Sequence, residues 1–264
     1  MKIDLTNKRA VVTGSTLGIG FAIAKGLAEA GARVVINGRK DAAVKKAKDE
    51  LLAAVPGAQV DTVAADLATA AGVEAFLRAA PETDILVNNL GIFEPKPFEE
   101  IPDADWQRFF DTNVMSGIRL SRAYVPGMRK KNWGPVVFVS SESGLNTPGE
   151  MVHYGMTKTA QLAVSRGLAV NLAGTGVTVN SVLPGPTRSE GVSDFFAKIA
   201  KEQGKTQADV EKDFIATHRS TSIIKRLETV EEIANMVVYI CSPQASGTTG
   251  AALRVDGGVV NTLA

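Results

Sequence analysis

The stretch Arg9–Gly31, RAVVTGSTLGIGFAIAKGLAEAG, decides the fold. Its opening, RAVVTG, is a short apolar run rich in valine, which predicts a strand. GIGFAIAKGLAEAG then spaces Ile19, Ala22, Ile23 and Leu27 along one helical face and stops at Gly31, which predicts a helix. Between them, Gly14, Gly18 and Gly20 set a G-x-x-x-G-x-G turn. Residues without Cβ let the chain bend there and let a pyrophosphate approach the backbone. The helix N-terminus adds free N–H groups and the positive end of a dipole. Glycines in a packing turn look alike, but the strand–turn–helix setting favours nucleotide binding. The turn lacks the G-K-[ST] ending of a phosphate-cleaving loop.

The same rhythm continues outward. RVVING, QVDTVAAD, DILVNNLG, PVVFVSS, VTVNSVLPG and AALRVDGG read as further strands. Helical stretches separate them: AAVKKAKDELLAA, AAGVEAFLRAA, a long one over about 103–128, one over about 154–172, and VEEIANMVVYICS. Continuously apolar strands alternating with helices imply a parallel sheet covered on both faces by right-handed crossovers. The expected fold is α/β, a Rossmann-type doubly wound parallel sheet of about seven strands. No internal repeat or linker divides the chain, so a single domain over 1–264 is expected. The segment at about 187–226 breaks the rhythm: it is long, charged and interrupted. After a late strand, such an insert is placed to cover the ligand crevice.

Composition narrows the function classes. The 264 residues are 45% apolar and 22% charged, with a formal net charge of +1. Near-neutral charge argues against a nucleic-acid or membrane-surface partner. No run approaches the length of a membrane-spanning helix, and the first residues enter a strand without a long apolar leader. With one cysteine, Cys241, no intrachain disulfide can form, which suits a reducing compartment. A soluble cytoplasmic protein is expected. His153, His218 and Cys241 supply no metal-ligand spacing, so no metal is expected.

HYGMTKT places Tyr154 and Lys158 four residues apart, on one face of a helix. An ammonium there is expected to lower the phenol's pKa and fit it for proton transfer. Alone, the pair also suits an ordinary helix surface. His153, beside the tyrosine, points elsewhere on the helix and is expected at the rim or surface. The chain also carries TGSTLGIG, NNLG, a serine thirteen residues before the tyrosine, YGMTK and LPG, in that order. This set resembles the short-chain dehydrogenase/reductase family, including its 3-oxoacyl-carrier-protein reductase-like members, over nearly the whole chain. Leu90 departs from the alanine usual in the family's N-N-A-G.

The resemblance implies a catalytic group of Asn113, Ser141, Tyr154 and Lys158. Tyr154 is the implied general acid/base, Ser141 steadies the substrate oxygen, Lys158 holds the nicotinamide ribose, and Asn113 holds a relay water. It also implies a dinucleotide held by Gly14, Ser15, Thr16, Gly18, Ile19 and Gly20 of the turn. Asp66 and Leu67 follow the third strand, where the adenine edge is read; Asp66 could equally cap the next helix. Asn88 steadies the sheet, and Gly91 admits the adenosine ribose. Pro184, Gly185 and Thr187 close the nicotinamide side. At the end of the second strand, Asn37, Gly38 and Arg39 replace the carboxylate that an NAD site uses on the ribose 2′-hydroxyl. Arg39 offers a planar fork to a 2′-phosphate, so NADP(H) is favoured, with NAD(H) possible. Leu17 stands where NADP-preferring members often carry a basic residue.

The substrate is less legible. Ser143, Leu145 and Met151 are the expected contacts, and Phe195, Phe196 and Phe214 of the insert are candidates for an apolar wall. They suit a small or medium ketone, aldehyde or secondary alcohol. Two other readings stay open. One is a 3-oxoacyl-thioester reductase, with Arg129, Lys130 and Lys131 meeting an acidic carrier. The other is a dinucleotide sensor without catalysis. The resemblance further implies a homotetramer or a homodimer.

Overall fold

The protein is described from a computed structural model covering residues 2–263. The chain begins with β1 (Arg9–Val12), α1 (Gly18–Glu29), β2 (Arg33–Gly38), α2 (Asp41–Ala54) and β3 (Val60–Ala64). It continues through α3 (Ala70–Ala79), β4 (Ile85–Asn88), α4 (Asp103–Phe110), α5 (Ser116–Lys131) and β5 (Gly134–Val139). Next come α6 (Val152–Asn171), β6 (Val177–Pro184), β7 (Thr187–Arg188), α7 (Glu190–Gln203) and α8 (Gln207–His218). β8 (Glu228–Thr229), α9 (Val230–Ile240) and β9 (Ala252–Val255) complete it.

Seven strands form one sheet in the order β3-β2-β1-β4-β5-β6-β9. Every pairing in it is parallel. The expected doubly wound architecture is therefore present. Because successive side chains alternate across a strand, Ala10 and Val12 face one core while Val11 faces the other. The first core takes Ile23 and Leu27 of α1, Leu51 of α2 and Val237 of α9. The second takes Phe76 of α3, Leu120 and Met128 of α5, and Val179 of β6. Fully burying each such side chain stabilises the fold by about 1.5–3 kcal/mol.

The strand order reverses between β1 and β4, and this switch point opens a crevice at the carboxyl ends of the strands. Two details differ from the sequence reading. The long helix continues to Lys131 and contains a π turn at Asp111–Met115. Such widened turns often mark functional positions, and this one carries Asn113. The insert is regular rather than interrupted. Ser189 and Thr206 cap α7 and α8 with side chains that accept from Val192 and Asp209 N–H groups. The two helices bury Phe196, Ala200, Val210 and Ile215 in a small core of their own. Among the described residues, no helix is long and apolar enough to cross a membrane.

Candidate active site

The glycine turn is held open by hydrogen bonds from the sheet. Gly14 and Gly18 adopt φ of +58° and +60°, a region costly for side chains with a Cβ. The Gly14 N–H donates to Asn37 Oδ1 at 3.2 Å, and the Asn37 N–H donates to Ser15 Oγ at 3.0 Å. Asn89 Nδ2 donates to the Thr13 and Gly14 carbonyls at 2.9 and 3.0 Å. A Cβ on Gly20 would collide with Asn89 and with the Gly14 carbonyl. No side chain caps the N-terminus of α1, whose leading N–H groups are thus left for an anion.

Around this cradle the expected contacts divide. Ile19, Gly91, Pro184, Gly185 and Thr187 line one cleft of about 530 Å³ together with Ser141, Tyr154 and Lys158. Thr16 packs at Gly38 beside the turn. Ser15 is fully buried and its hydroxyl donates to the Val12 carbonyl, so its side chain braces the turn. Leu67 lies in the second core. Asp66 is exposed, and its Oδ1 accepts from the Ala68 N–H at 3.1 Å; Thr69, not Asp66, caps α3. Arg39 is exposed and has no ion-pair or hydrogen-bond partner among the described residues. Asn88 is buried and donates to Ser121 Oγ.

Helix α6 brings the Tyr154–Lys158 face to the end of β5. Lys158 Nζ is buried, donates to the Val139 carbonyl at 2.9 Å, and lies 5.5 Å from the centre of the Tyr154 ring. A Cβ on Gly91 would stand 3.4 Å from that nitrogen. Asn113 is clamped in the π turn: its Oδ1 accepts from the Ile92 N–H, and its Nδ2 donates to the Ile92 carbonyl and to Thr157 Oγ1. Ser141 Oγ accepts from the Ser143 N–H at 3.1 Å.

In the free protein the electrostatics differ from the expectation for Tyr154. Burial pushes the Tyr154 phenol up to about 12, against an opposing hydrogen bond from Ser141. Burial also pulls the Lys158 ammonium down to about 7. Without a ligand, desolvation outweighs the groups that favour the phenolate, and these are Ser141 and Arg219 rather than Lys158. Next to Ser141, the Glu142 carboxyl is raised by burial, while Arg219 favours its charged form. Arg219 Nε donates to Glu142 Oε1 at 2.8 Å, reaching down from the end of α8.

A family model described as enoyl-(acyl carrier protein) reductase matches residues 14–260. The chain belongs to the short-chain dehydrogenase/reductase family. It is 48% identical to an uncharacterized oxidoreductase, YvaG, of Bacillus subtilis, over 100% of both chains. It is 32% identical to D-beta-hydroxybutyrate dehydrogenase of Cupriavidus necator, over 97% of this chain and 99% of that one. The solved L-sorbose reductase of Gluconobacter frateurii, complexed with NADPH and L-sorbose, superposes with a TM-score of 0.94 at 32% identity, covering 100% of both.

In this short-chain dehydrogenase/reductase, two further expectations need correction. His153 is fully buried, not at the rim, with its ring 4.0 Å from that of Phe109 and 6.0 Å from that of Trp106. The packing of α4 against α6 covers that face of the helix. Leu145 is 47% exposed and stands outside the cleft, whereas Ser143 and Met151 line it. Sequence reasoning missed Phe93, which stands edge-on to Tyr154 at 6.4 Å, and the Glu142–Arg219 pair. A glutamate immediately after Ser141 was the available signal; its arginine lies 77 residues away with no local mark.

Proposed function

We propose that the protein is an NADP(H)-preferring carbonyl reductase of small or medium ketones and aldehydes, working also on secondary alcohols in reverse. The observation that carries this is the meeting of Tyr154, Ser141 and Lys158 in the cleft that also contains the end of the glycine turn. The turn fits a dinucleotide: Gly14 and Gly18 are in left-handed conformations and α1 lacks a side-chain cap. Gly14, Gly18 and Gly20 with Thr16 and Ile19 would hold the pyrophosphate. Asp66 and the backbone of Leu67 would meet the adenine, Gly91 and Lys158 the riboses, and Pro184, Gly185 and Thr187 the nicotinamide. When bound, the dinucleotide supplies a hydride for the carbonyl carbon.

The chain's own residues do the rest. Tyr154 gives its proton to the carbonyl oxygen, and Ser141 donates a hydrogen bond to the same oxygen as charge develops there. Asn113 fixes the loop after β4 through Ile92 and so sets the distance to Lys158. The insert of about 187–226 covers the cleft with Phe195 and Phe214. Oxidation of NADPH by diacetyl, ethyl acetoacetate or an acetoacetyl thioester tests this reading. Turnover of the thioester alone would favour a carrier-bound substrate. Binding of NADPH without turnover of any would favour a sensor.

Arg39 supports the coenzyme preference, since its fork is exposed and unpaired. Arg39→Ala is expected to weaken NADPH binding about 10–100-fold, as for loss of a charged hydrogen-bonding pair. NADH binding should change by less than about threefold. An equal loss for both nucleotides, read by fluorescence titration, would assign Arg39 no role at the 2′-phosphate. The groove between α5 and α6, lined by Ile118, Val125 and Leu168, supports a homotetramer built through those helices. A cytoplasmic location completes this reading.

A further inference from the structure

The cleft contains one polar cluster that the proposed chemistry does not use. Glu142 is 3% exposed and sits one residue after Ser141, at the floor of the cleft. Its Oε1 accepts from Arg219 Nε at 2.8 Å. Arg219 Nη1 donates to the His218 carbonyl at 2.7 Å and lies 3.7 Å from Glu150 Oε1. The guanidinium also rests 5.6 Å from the centre of the Phe214 ring. The arginine is thus fixed from four sides, and Glu142, Glu150 and Arg219 all line the cleft that holds Tyr154.

We propose that the Glu142–Arg219–Glu150 cluster selects an uncharged, hydroxylated ketone, with a hydroxyl beside the reacting carbonyl, and rejects keto acids. This rests on the carbonyl-reductase reading above and names its substrate class. The cluster holds one cation and two carboxylates, a net charge of −1 with both ionised, in the wall of the cleft that also holds Tyr154. A carboxylate site needs a cation whose charge is not already neutralised. Here Glu142 neutralises Arg219 at direct contact, in a setting where water screens little. A further anion would meet net repulsion, which is how a site rejects a competitor.

A hydroxyl suits the cluster because it both donates and accepts. It can accept from Arg219 Nη2, for which no partner is found among the described residues, and donate to a carboxylate oxygen of Glu142 or Glu150. A ketone without the hydroxyl leaves those groups unsatisfied when it excludes water from the cleft, and that is costly. Phe93, Phe195 and Met151 supply the apolar remainder of the wall, which suits the carbon skeleton.

The test compares kcat/KM, with NADPH, for two matched pairs: 1-hydroxybutan-2-one against butan-2-one, and acetoacetate against methyl acetoacetate. The hydroxyketone is expected to exceed the plain ketone by about tenfold or more. Acetoacetate is expected to fall below its neutral ester by about tenfold or more. Glu142→Gln keeps the shape and removes one negative charge. It should bring acetoacetate at least about fivefold closer to the ester and reduce the hydroxyketone preference. Glu150→Gln, at a position 43% exposed, should move the acetoacetate ratio in the same direction without risk to the buried floor. NADPH titration of each variant checks that it is folded. Equal turnover within each wild-type pair overturns the proposal while leaving the reductase reading intact. So does a folded Glu142→Gln variant with both ratios unchanged. Absence of turnover with all four carbonyls and with diacetyl overturns the reductase reading and this inference together.

Discussion

Replacing Tyr154 by phenylalanine is expected to lower kcat/KM for carbonyl reduction about 10²–10⁴-fold, the usual contribution of a positioned proton donor. NADPH affinity should change by less than about threefold, because the hydroxyl contributes little to holding the nucleotide. In the free protein the phenol's pKa is raised to about 12, and the charged Lys158 of the nucleotide complex brings it down. Reduction needs the protonated phenol, so between pH 6 and 9 its rate should be flat below the phenol's pKa in that complex and fall above it. Alcohol oxidation needs the phenolate, and its rate should climb by about tenfold per pH unit below that same pKa. Stopped-flow reduction and steady-state oxidation across that range check both slopes. A Tyr154→Phe variant that keeps half the wild-type rate would remove Tyr154 from the reaction.

That prediction uses a quantity the sequence hid. The Tyr154–Lys158 spacing correctly put both side chains toward one cleft, since i and i+4 share a helix face. The sign of the phenol's shift depends on how much water surrounds it, and no spacing records that. Other features divide the same way. RAVVTGSTLGIG was legible because strand, turn and helix are all local patterns, and the doubly wound class of about seven strands followed from repeating them. The burial of His153 was not, because it depends on α4 arriving from a distant part of the chain. The insert read as irregular because its two helices are short and mostly polar; their apolar sides meet each other, Leu227 and the cleft. Yet Ser189 and Thr206, each accepting from an N–H three residues on, were start signals in plain sight. The support of the glycine turn by Asn37 and Asn89 is tertiary, linking residues 22 to 76 positions apart.

Lys158 supplies the second large effect. In the free protein burial lowers its ammonium from 10.5 to about 7. Between those values the unfolded chain binds more protons, so the free protein gains stability as pH rises from 7 toward 10.5. The burden of the buried charge is fully present below pH 7. Nζ donates one of its three hydrogens to the Val139 carbonyl. Ribose hydroxyls accepting the other two, together with a nearby phosphate, would restore the charged form. Nucleotide binding at pH 8 should therefore take up about 0.9 proton, and at pH 6 about 0.1. Affinity should fall as pH rises above 7, approaching tenfold per unit. Calorimetric titration of NADPH in phosphate and in Tris reads the uptake from the difference in heats, and Lys158→Met should abolish it. Equal heats in the two buffers at pH 8, or the same uptake in Lys158→Met, would place the proton elsewhere. Uptake confined to Lys158 would mean that the ammonium expected to acidify Tyr154 is created by the nucleotide. The proton-transfer pair is then assembled only when the dinucleotide is in place, which keeps a reactive phenolate out of the empty cleft.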